Sequence, residues 1–550
     1  MRRSRTSPTR QKGWSASISL SRCNLKRHLV MKNIKGGILG FALIGLMTMM
    51  ALSCDYTLSE VSKDVNRPTQ VHPKTILTTL DINTFGIEYY GIEPYRLVWM
   101  FDYRGGGGHF NFLRRNFSGE YQRIAWCYDM RKEAERVGDE RYYYLASFFR
   151  AWWMFTVTRL FGDVPYTEAG TGRQGSPNYY PSYDKQEDII AGILNELAEA
   201  NEKLAQYDAT SVDGDIIYGG NIHSWRKLIN TLRLRVLINC TSVDSIHGRT
   251  PKDMFAEIVN DPDSNPLMEK LSDSAIRDED DNTSNYAYYN NNNFVSSYRI
   301  SRYVVELMKK RKDTRLMQIA EVMMKYEGNS SIDVNDFANY NGVIPNPGAK
   351  SYNNSVEMNN GSQSRLKGKW YQEPKGPSAM NISYPELEFI LAEAALRGWI
   401  SGDAQTYYNA GITAACEFQG IGSAAIKAYQ ENADVKLVGT PTQMLGKIIT
   451  EKYLNFFMQG ALEPYFELRR TGYPDYSEFL ERNIDNLYND GYLPLRYCYP
   501  QAEIDNNNSN VNEAIKRLDE GDDRNSRMWL ISGTDPLFNP DPFPFRNKNQ

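Results

Sequence analysis

Apolar residues recur at helical spacing in five separate stretches of this chain, and that periodicity limits the possible folds more than any other feature. Leu145, Phe149, Trp152 and Phe155 step by threes and fours, as do Ile189, Ile193, Leu197, Ala200 and Leu204. Trp225, Leu228, Leu232 and Val236 make a third stripe, and Leu387, Leu391 and Ala394 a fourth. Leu445, Ile449, Tyr453 and Phe456 make the fifth. Residues three or four apart share one face of an α-helix, so each stripe predicts an amphipathic helix that buries that face against a neighbour. Strand-like alternation is scarce. The expected fold is mostly α, and without a sharp linker the span 72–550 reads as one continuous domain.

Helix punctuation agrees with the stripes. Asp184 and Glu187 have capping-box spacing ahead of the second stripe. Ser383-Tyr-Pro-Glu386 opens the fourth and Gly398 closes it. In Phe161-Gly-Asp-Val-Pro-Tyr166, Gly162 and Pro165 stop a helix and force an extended exit. Asp163 is placed there to accept backbone N–H bonds. Arg469 and Arg470 follow Glu463 and Glu467 on one predicted helix, so ion pairing or carbonyl capping is expected. Trp152, Trp153 and Trp225 fall within the stripes and read as core. Cys127, Cys240 and Cys416 sit in partly apolar helical patterns and read as buried thiols, not as a disulfide frame.

Long polar segments separate the helices, chiefly 278–298 and 327–375, rich in Asn, Gly, Ser and Tyr. Disordered segments are poor in aromatics, so the first, with Tyr286, Tyr288, Tyr289, Phe294 and Tyr298, reads as a structured binding surface. The whole chain has 37 Tyr against 22 Phe, and Tyr, apolar on its face and polar at its tip, suits half-wet surfaces. A second stretch, Trp99 to Phe110, joins the glycine run Gly105–Gly108 to Tyr103, Arg104 and His109. Trp370 and Tyr371 form a third. Aromatic faces cover the C–H faces of sugar rings, at roughly 1.5–3 kcal/mol for each aromatic-sized face buried. Asn, Asp, Arg and Gln satisfy the hydroxyls. The candidate ligand contacts are therefore Trp99, Tyr103, Arg104, His109, Tyr286, Tyr288, Tyr289 and Trp370, with packing beneath a loop as the competing role for each.

Other chemistries lack their signatures. Net charge is −4, with no basic reading head, so nucleic acid is not an expected partner. There are five His without HExxH, and six Cys without CxxC. The glycine run lacks the Lys-Ser/Thr of a phosphate loop. Glu386, Glu388, Glu393, Glu463 and Glu467 lie on amphipathic helices near cations, which predicts paired structural carboxylates, not a hydrolytic couple. Asp278-Glu-Asp-Asp-Asn282 is dense in oxygen ligands but lacks the spacing and turn glycine of a calcium loop, so a solvated acidic loop is expected. No catalytic centre, metal or cofactor is expected.

The front of the chain bears on compartment. Residues 31–53 carry Lys32 and Lys35, an apolar run from Ile38 to Leu52, and small Ser53 before Cys54, the pattern of a lipoprotein signal peptide. Ala51 holds the place that Leu usually takes three residues before the lipidated Cys. Residues 1–30 are basic and lack any acid, and read as an extension ahead of a true start at Met31. Lipidation is expected at Cys54, with 54–71 as a polar tether. More than one acyl chain is needed for durable anchoring.

Four blocks, in order, resemble the SusD/RagB family, and within it the SusD-like outer-membrane lipoproteins. They are Phe149–Ala169 followed by Pro181–Ile189, Asp215–Arg235, Tyr384–Trp399 leading into Tyr408–Ile412, and Glu463–Pro474. With smaller echoes at Asp64–Pro68, Asp313–Leu316 and Tyr499–Glu503, they cover nearly the whole mature span. The resemblance implies a fold of tetratricopeptide-like helix pairs, with ligand held on long irregular loops. It also implies a non-enzymatic, lipid-anchored protein facing outward from the outer membrane. Such a protein binds glycan and delivers it to a SusC-like TonB-dependent transporter. RagB-type members imply an alternative, the same architecture binding oligopeptides. A lipid-anchored secreted hydrolase and a pure helical-repeat scaffold are rival classes.

Overall fold

Each predicted stripe lies on a helix. A computed structural model describes residues 70–86, 92–104, 115–170, 178–279, 286–345, 351–479, 489, 492–539 and 545. Residues 1–53, Cys54, all of the 54–71 tether up to residue 69, Gly105–Gly108, His109 and Asp280–Asn282 lie outside the described residues. Val71–Gln550 forms one compact unit. Its longer helices are α1 (Pro73–Phe85), α2 (Ser118–Val137), α3 (Glu140–Phe161), α4 (Gln186–Leu204), α5 (Ile222–Ile238) and α6 (Pro251–Asn260). They continue with α7 (Arg302–Arg311), α8 (Tyr384–Leu396), α9 (Ala404–Phe418), α10 (Ser423–Gln430), α11 (Pro441–Asn455) and α12 (Glu463–Thr471).

Successive helices pack side by side: α2 on α3, α3 on α4, α4 on α5, and α8 on α9. Helix α8 also packs on α5 and α11, which joins the two halves of the chain. The apolar stripes meet along these contacts. Trp153 and Trp225 are buried and Trp152 is half-buried against the same core. Cys127, Cys240 and Cys416 are buried free thiols, as is Cys498. A second apolar cluster, with Phe389, Tyr408, Ile412 and Tyr429, lies where α8, α9 and α10 meet.

The polar segments are more ordered than their composition suggests. Among the described residues, three antiparallel ribbons lie within or beside them. These pair β1 (Phe101–Tyr103) with β3 (Tyr298–Ile300), β2 (Ala275–Arg277) with β6 (Ala379–Ile382), and β4 (Ala320–Met323) with β5 (Ser364–Leu366). Short helices at Asn292–Ser296 and Ser351–Asn359 fill more of the expected loops. Ribbon pairing satisfies backbone groups that a buried irregular loop would leave orphaned.

Most helix ends follow the predicted chemistry. The Ser383 hydroxyl accepts the Glu386 N–H at 3.2 Å, and Gly398 has φ +67° just past α8. Helix α3 stops at Phe161, with Gly162 at φ +90°. The Asp184/Glu187 capping box does not form. Asp184 instead accepts the Tyr166 and Thr167 N–H groups at 2.8 and 3.0 Å, and the Gln186 N–H donates to Asp163 at 2.8 Å. The extended exit after Gly162 lies against the start of α4, bridged at Val164 and Asp184, and its carboxylate supplies the cap that the local residue was expected to give. A capping box does form at Thr440 and Gln443, ahead of α11.

Helix α12 explains how the frame is locked. All nine of its residues, Glu463–Thr471, are buried, four of them charged. Burying a charge without a partner is costly, so each must find one. Arg159 of α3 donates to both Glu463 oxygens at 2.6 and 2.7 Å, and its guanidinium lies 3.9 Å from the ring centroids of Phe155 and Phe466. Lys452 donates to Glu467 at 2.9 Å, and Arg470 joins Glu467 to Glu393 at 2.5–2.7 Å. Arg469 donates to the carbonyls of Arg159 and Leu495 at 2.7 and 2.8 Å. Arg235 of α5 pairs with Glu386 of α8. The network ties α3, α5, α8, α11 and α12 together, and of the candidate carboxylates Glu386, Glu393, Glu463 and Glu467 are held by arginine or lysine while Glu388 has neither as partner among the described residues. Ion pairing of Arg470 with Glu467 follows the sequence expectation, whereas Arg469 reaches carbonyls of other segments and does not cap its own helix.

Candidate ligand-binding surface

The ribbon β1–β3 brings two of the predicted stretches together. Its register sets Phe101 opposite Ile300, Asp102 opposite Arg299 and Tyr103 opposite Tyr298. Directly opposed side chains on one face interact, and here the Tyr103 and Tyr298 rings stack with centroids 5.0 Å apart. The Tyr298 hydroxyl donates to that of Tyr103 at 3.4 Å. Arg96 lies 4.1 Å from the Tyr103 ring centroid, a cation–π contact. Asp102 accepts from Arg96 at 3.0 and 3.3 Å and from the Tyr103 N–H at 2.7 Å, while Glu93 holds the other side of the guanidinium at 2.9 and 3.0 Å. Burial alone would lower the Arg96 pKa, but Asp102 and Glu93 reverse this and hold it above its ordinary value. Tyr103 is thus fixed in place yet keeps 36% of its surface open.

Beneath the ribbon lies an aromatic floor. Phe294 stacks on Tyr371 at 5.9 Å and meets Tyr298 at 5.2 Å and Tyr288 at 5.3 Å. Tyr288 in turn meets Tyr286 edge-on at 5.5 Å. Backbone bonds clamp the segment: the Tyr286 N–H donates to the Pro374 carbonyl at 2.7 Å, and the Asn290 N–H to the Tyr371 carbonyl at 2.8 Å. Arg299 is buried within this layer, where burial, with the like charges of Arg365 and Arg104, brings its pKa down to about 10. Above the floor, Asn290, Asn292, Asn293 and Arg104 are exposed and Tyr289 is half-buried.

The predicted contacts therefore divide by burial. Tyr103, Arg104 and Tyr289 reach the surface. Trp99, Tyr286, Tyr288 and Trp370 do not, at 3%, 2%, 7% and 0% exposure. This is a correction. Trp99 packs edge-on against Tyr476 at 4.6 Å, Tyr286 and Tyr288 build the floor, and Trp370 lies against Phe457 at 6.0 Å. A ring that is covered has no face to offer a ligand. His109 falls outside the described residues. Arg96, which helps organise the surface, was missed as a functional residue, and Tyr298 was read as part of the aromatic segment without its tie to Tyr103. The Asn run was legible by composition.

The surface offers aromatic, amide and guanidinium groups for contact. Its nearest buried carboxylate, Asp102, is engaged by Arg96 and a backbone N–H. Among the described residues, no group of His, Cys, Asp and Glu is disposed to hold a metal. Of the acidic cluster, Asp278 accepts a hydrogen bond from the Ser378 hydroxyl and Glu279 pairs with Arg277 at 2.7 Å.

A family described as SusD-like, starch-binding and associating with the outer membrane matches residues 108–500. The chain belongs to the SusD-like family. A SusD homologue from Bacteroides fragilis is 33% identical, with a TM-score of 0.75, over 84% of this chain and 100% of its own. A Bacteroides vulgatus protein, described as a candidate outer membrane protein with a role in nutrient binding, is 31% identical with the same TM-score and coverage. A chitin-binding protein, 22% identical over 84% of this chain and 100% of its own, shares the fold with a TM-score of 0.66. No curated protein matches the sequence significantly. The mostly helical SusD-like fold expected from the four blocks is the fold found. Members of this family are nutrient-binding proteins of the outer membrane. No helix among the described residues is long and apolar enough to cross a membrane.

Proposed function

We propose that this SusD-like protein is the capture component of a glycan uptake system, anchored through acylated Cys54 and facing outward. It binds oligosaccharide reversibly at the Tyr103 surface and passes it to a SusC-like TonB-dependent transporter. The observation that carries this reading is the Tyr103 ribbon itself: an open tyrosine held by Arg96 and Tyr298, with Arg104, Tyr289 and exposed Asn amides around it. Aromatic surface beside amide and guanidinium groups suits a ring with an apolar face and hydroxyl edges. A few such contacts support micromolar-to-millimolar affinity after association costs. Weak capture suits a protein that hands its ligand onward.

The test has three readouts on the full chain purified from membranes in detergent. Calorimetry against neutral oligosaccharides and short peptides is expected to give heat with saccharides only and no cleaved product. Mass spectrometry is expected to find an acylated Cys54 at the mature amino terminus, and a β-barrel is expected to co-purify. Binding of peptides alone would assign the RagB-like ligand class instead, and turnover of a bound saccharide would contradict the capture reading.

A further inference from the structure

Helix α7, which follows β3 of the Tyr103 ribbon directly in sequence, lines a cleft of about 490 Å³ together with α11 and residues 473–479. Its floor is aromatic. The Tyr303 ring lies 4.3 Å from Tyr476 and 5.9 Å from both Tyr453 and Phe479. Three buried tyrosines meet here, and their hydroxyls fare differently. Those of Tyr453 and Tyr476 both donate to the Val98 carbonyl, at 2.9 and 3.2 Å. Tyr303, only 1% exposed, lines the cleft and its hydroxyl makes no hydrogen bond among the described residues. That hydroxyl is open to the cleft, so a group entering there can hydrogen-bond to it.

The rest of the lining also has free capacity. The Asp434 carboxylate makes no hydrogen bond or ion pair among the described residues, and Asp475 uses one oxygen to accept the Ser477 N–H at 2.9 Å. Charges elsewhere in the wall are already compensated. Lys310 pairs with Glu478 at 2.9 Å, Arg311 pairs with buried Glu451, and Lys447 donates to the carbonyls of Ala433 and Lys436 at 3.1 and 2.6 Å. Two open carboxylates beside an unbonded tyrosine hydroxyl suit a molecule rich in hydroxyl donors.

The cleft is also built at some cost to the helix beside it. Gly446 sits inside α11, where glycine is less favourable than alanine. A Cβ at that position would stand 2.9 Å from the Tyr473 ring. Glycine at 446 therefore lets Tyr473, whose own hydroxyl has no partner among the described residues, lie close on the helix and form the wall.

We propose that this cleft is a second saccharide-binding site, taking one or two neutral sugar rings whose hydroxyls meet Tyr303, Asp434 and Asp475. The ligand class rests on the glycan reading above; the location does not.

Calorimetry and saturation-transfer NMR on the full chain in detergent, with maltotriose and N,N′-diacetylchitobiose as probes, test it. Two sites are expected for at least one probe. Tyr103→Ala removes one, while Tyr303→Phe or Asp434→Asn weakens the other by about three- to tenfold, the effect of one lost hydrogen bond. Tyr303→Phe keeps the aromatic packing, and Asp434 is exposed, so both variants should fold. A single site abolished by Tyr103→Ala and indifferent to Tyr303→Phe and Asp434→Asn would overturn the cleft and leave the glycan reading standing. Cleft binding by a zwitterionic dipeptide such as Ala-Ala, with neither saccharide competing, would overturn the ligand class. No saccharide binding at either place would overturn both proposals.

Discussion

Helix α12 and the Tyr103 ribbon draw on the same residue types, and the molecule uses them in opposite ways. In α12, Glu463, Glu467, Arg469, Arg470 and their aromatic neighbours are wholly buried, and their polar atoms are directed at other parts of the frame. In the ribbon, Asp102 and Arg96 are similarly buried and paired, but Tyr103 and Arg104 turn outward beside exposed asparagines. Composition does not distinguish a residue that holds the fold from one that is available to a ligand. Burial does. If this contrast is right, changes in the frame move stability, and changes on the ribbon move affinity and leave stability alone.

The largest effect expected is from Arg159→Ala. It leaves Glu463 buried with Arg235 at 3.6 Å as its remaining cation, and removing one member of a buried pair typically costs about 3–5 kcal/mol. Urea denaturation should show a midpoint shift of that size. A loss below about 1 kcal/mol would mean that the network contributes little to the frame.

Two carboxyls on the frame should then pull in opposite directions with pH. Burial raises Glu388 on α8 from 4.5 to about 7, although a hydrogen bond from Tyr384 acts against it. The folded state thus holds this proton more tightly than the unfolded one. Its contribution is full below pH 4.5 and is lost as pH rises through 7, by about 3 kcal/mol. Glu388→Gln should therefore be more stable than the parent at pH 8 and equal to it at pH 4. For Glu467, burial would raise the carboxyl, but Arg470 and Lys452 outweigh it and hold it at about 2. That contribution is present above pH 4.5 and is lost as pH falls through 2, again by about 3 kcal/mol. Chemical denaturation across pH 2–8 reads both slopes, and reversed slopes would break the electrostatic account of the frame.

On the ribbon, Arg104→Ala should weaken saccharide binding about three- to tenfold while stability stays within about 0.5 kcal/mol. The smallest change is expected from Asn292→Ala or Asn293→Ala, about twofold in affinity each. Paired calorimetry and thermal melts separate these outcomes. A large stability loss in any of the three would move that residue from the surface into the frame.

The frame was far more legible in the sequence than the surface. The stripes, the Ser383 cap, the Gly162 stop and the Glu467–Arg470 pair of α12 all depend on neighbours within one or two helical turns. The Asp184/Glu187 box failed where a contact from beyond the turn intervened, with Asp163 reaching across to Gln186. Much of the surface depends on such distant contacts. Nothing near Tyr286 reveals that Pro374 accepts its N–H, and nothing near Phe294 reveals the stack on Tyr371. Local reading therefore found an aromatic, asparagine-rich region but could not tell its floor from its face. Trp99 and Trp370 were misplaced for the same reason, since their packing partners Tyr476 and Phe457 lie 377 and 87 residues away along the chain.

The most direct measurement is a joint one on Tyr103→Ala: the saccharide isotherm and the urea denaturation curve of the full chain, each beside the parent. The expected result is tenfold or greater loss of affinity at the ribbon, taking about 1.5 kcal/mol for a partly open aromatic, with a denaturation midpoint unchanged within about 0.5 kcal/mol. An unaltered isotherm, or a collapse of stability comparable to Arg159→Ala, would contradict the claim that this tyrosine is held out for ligand by a frame that does not need it.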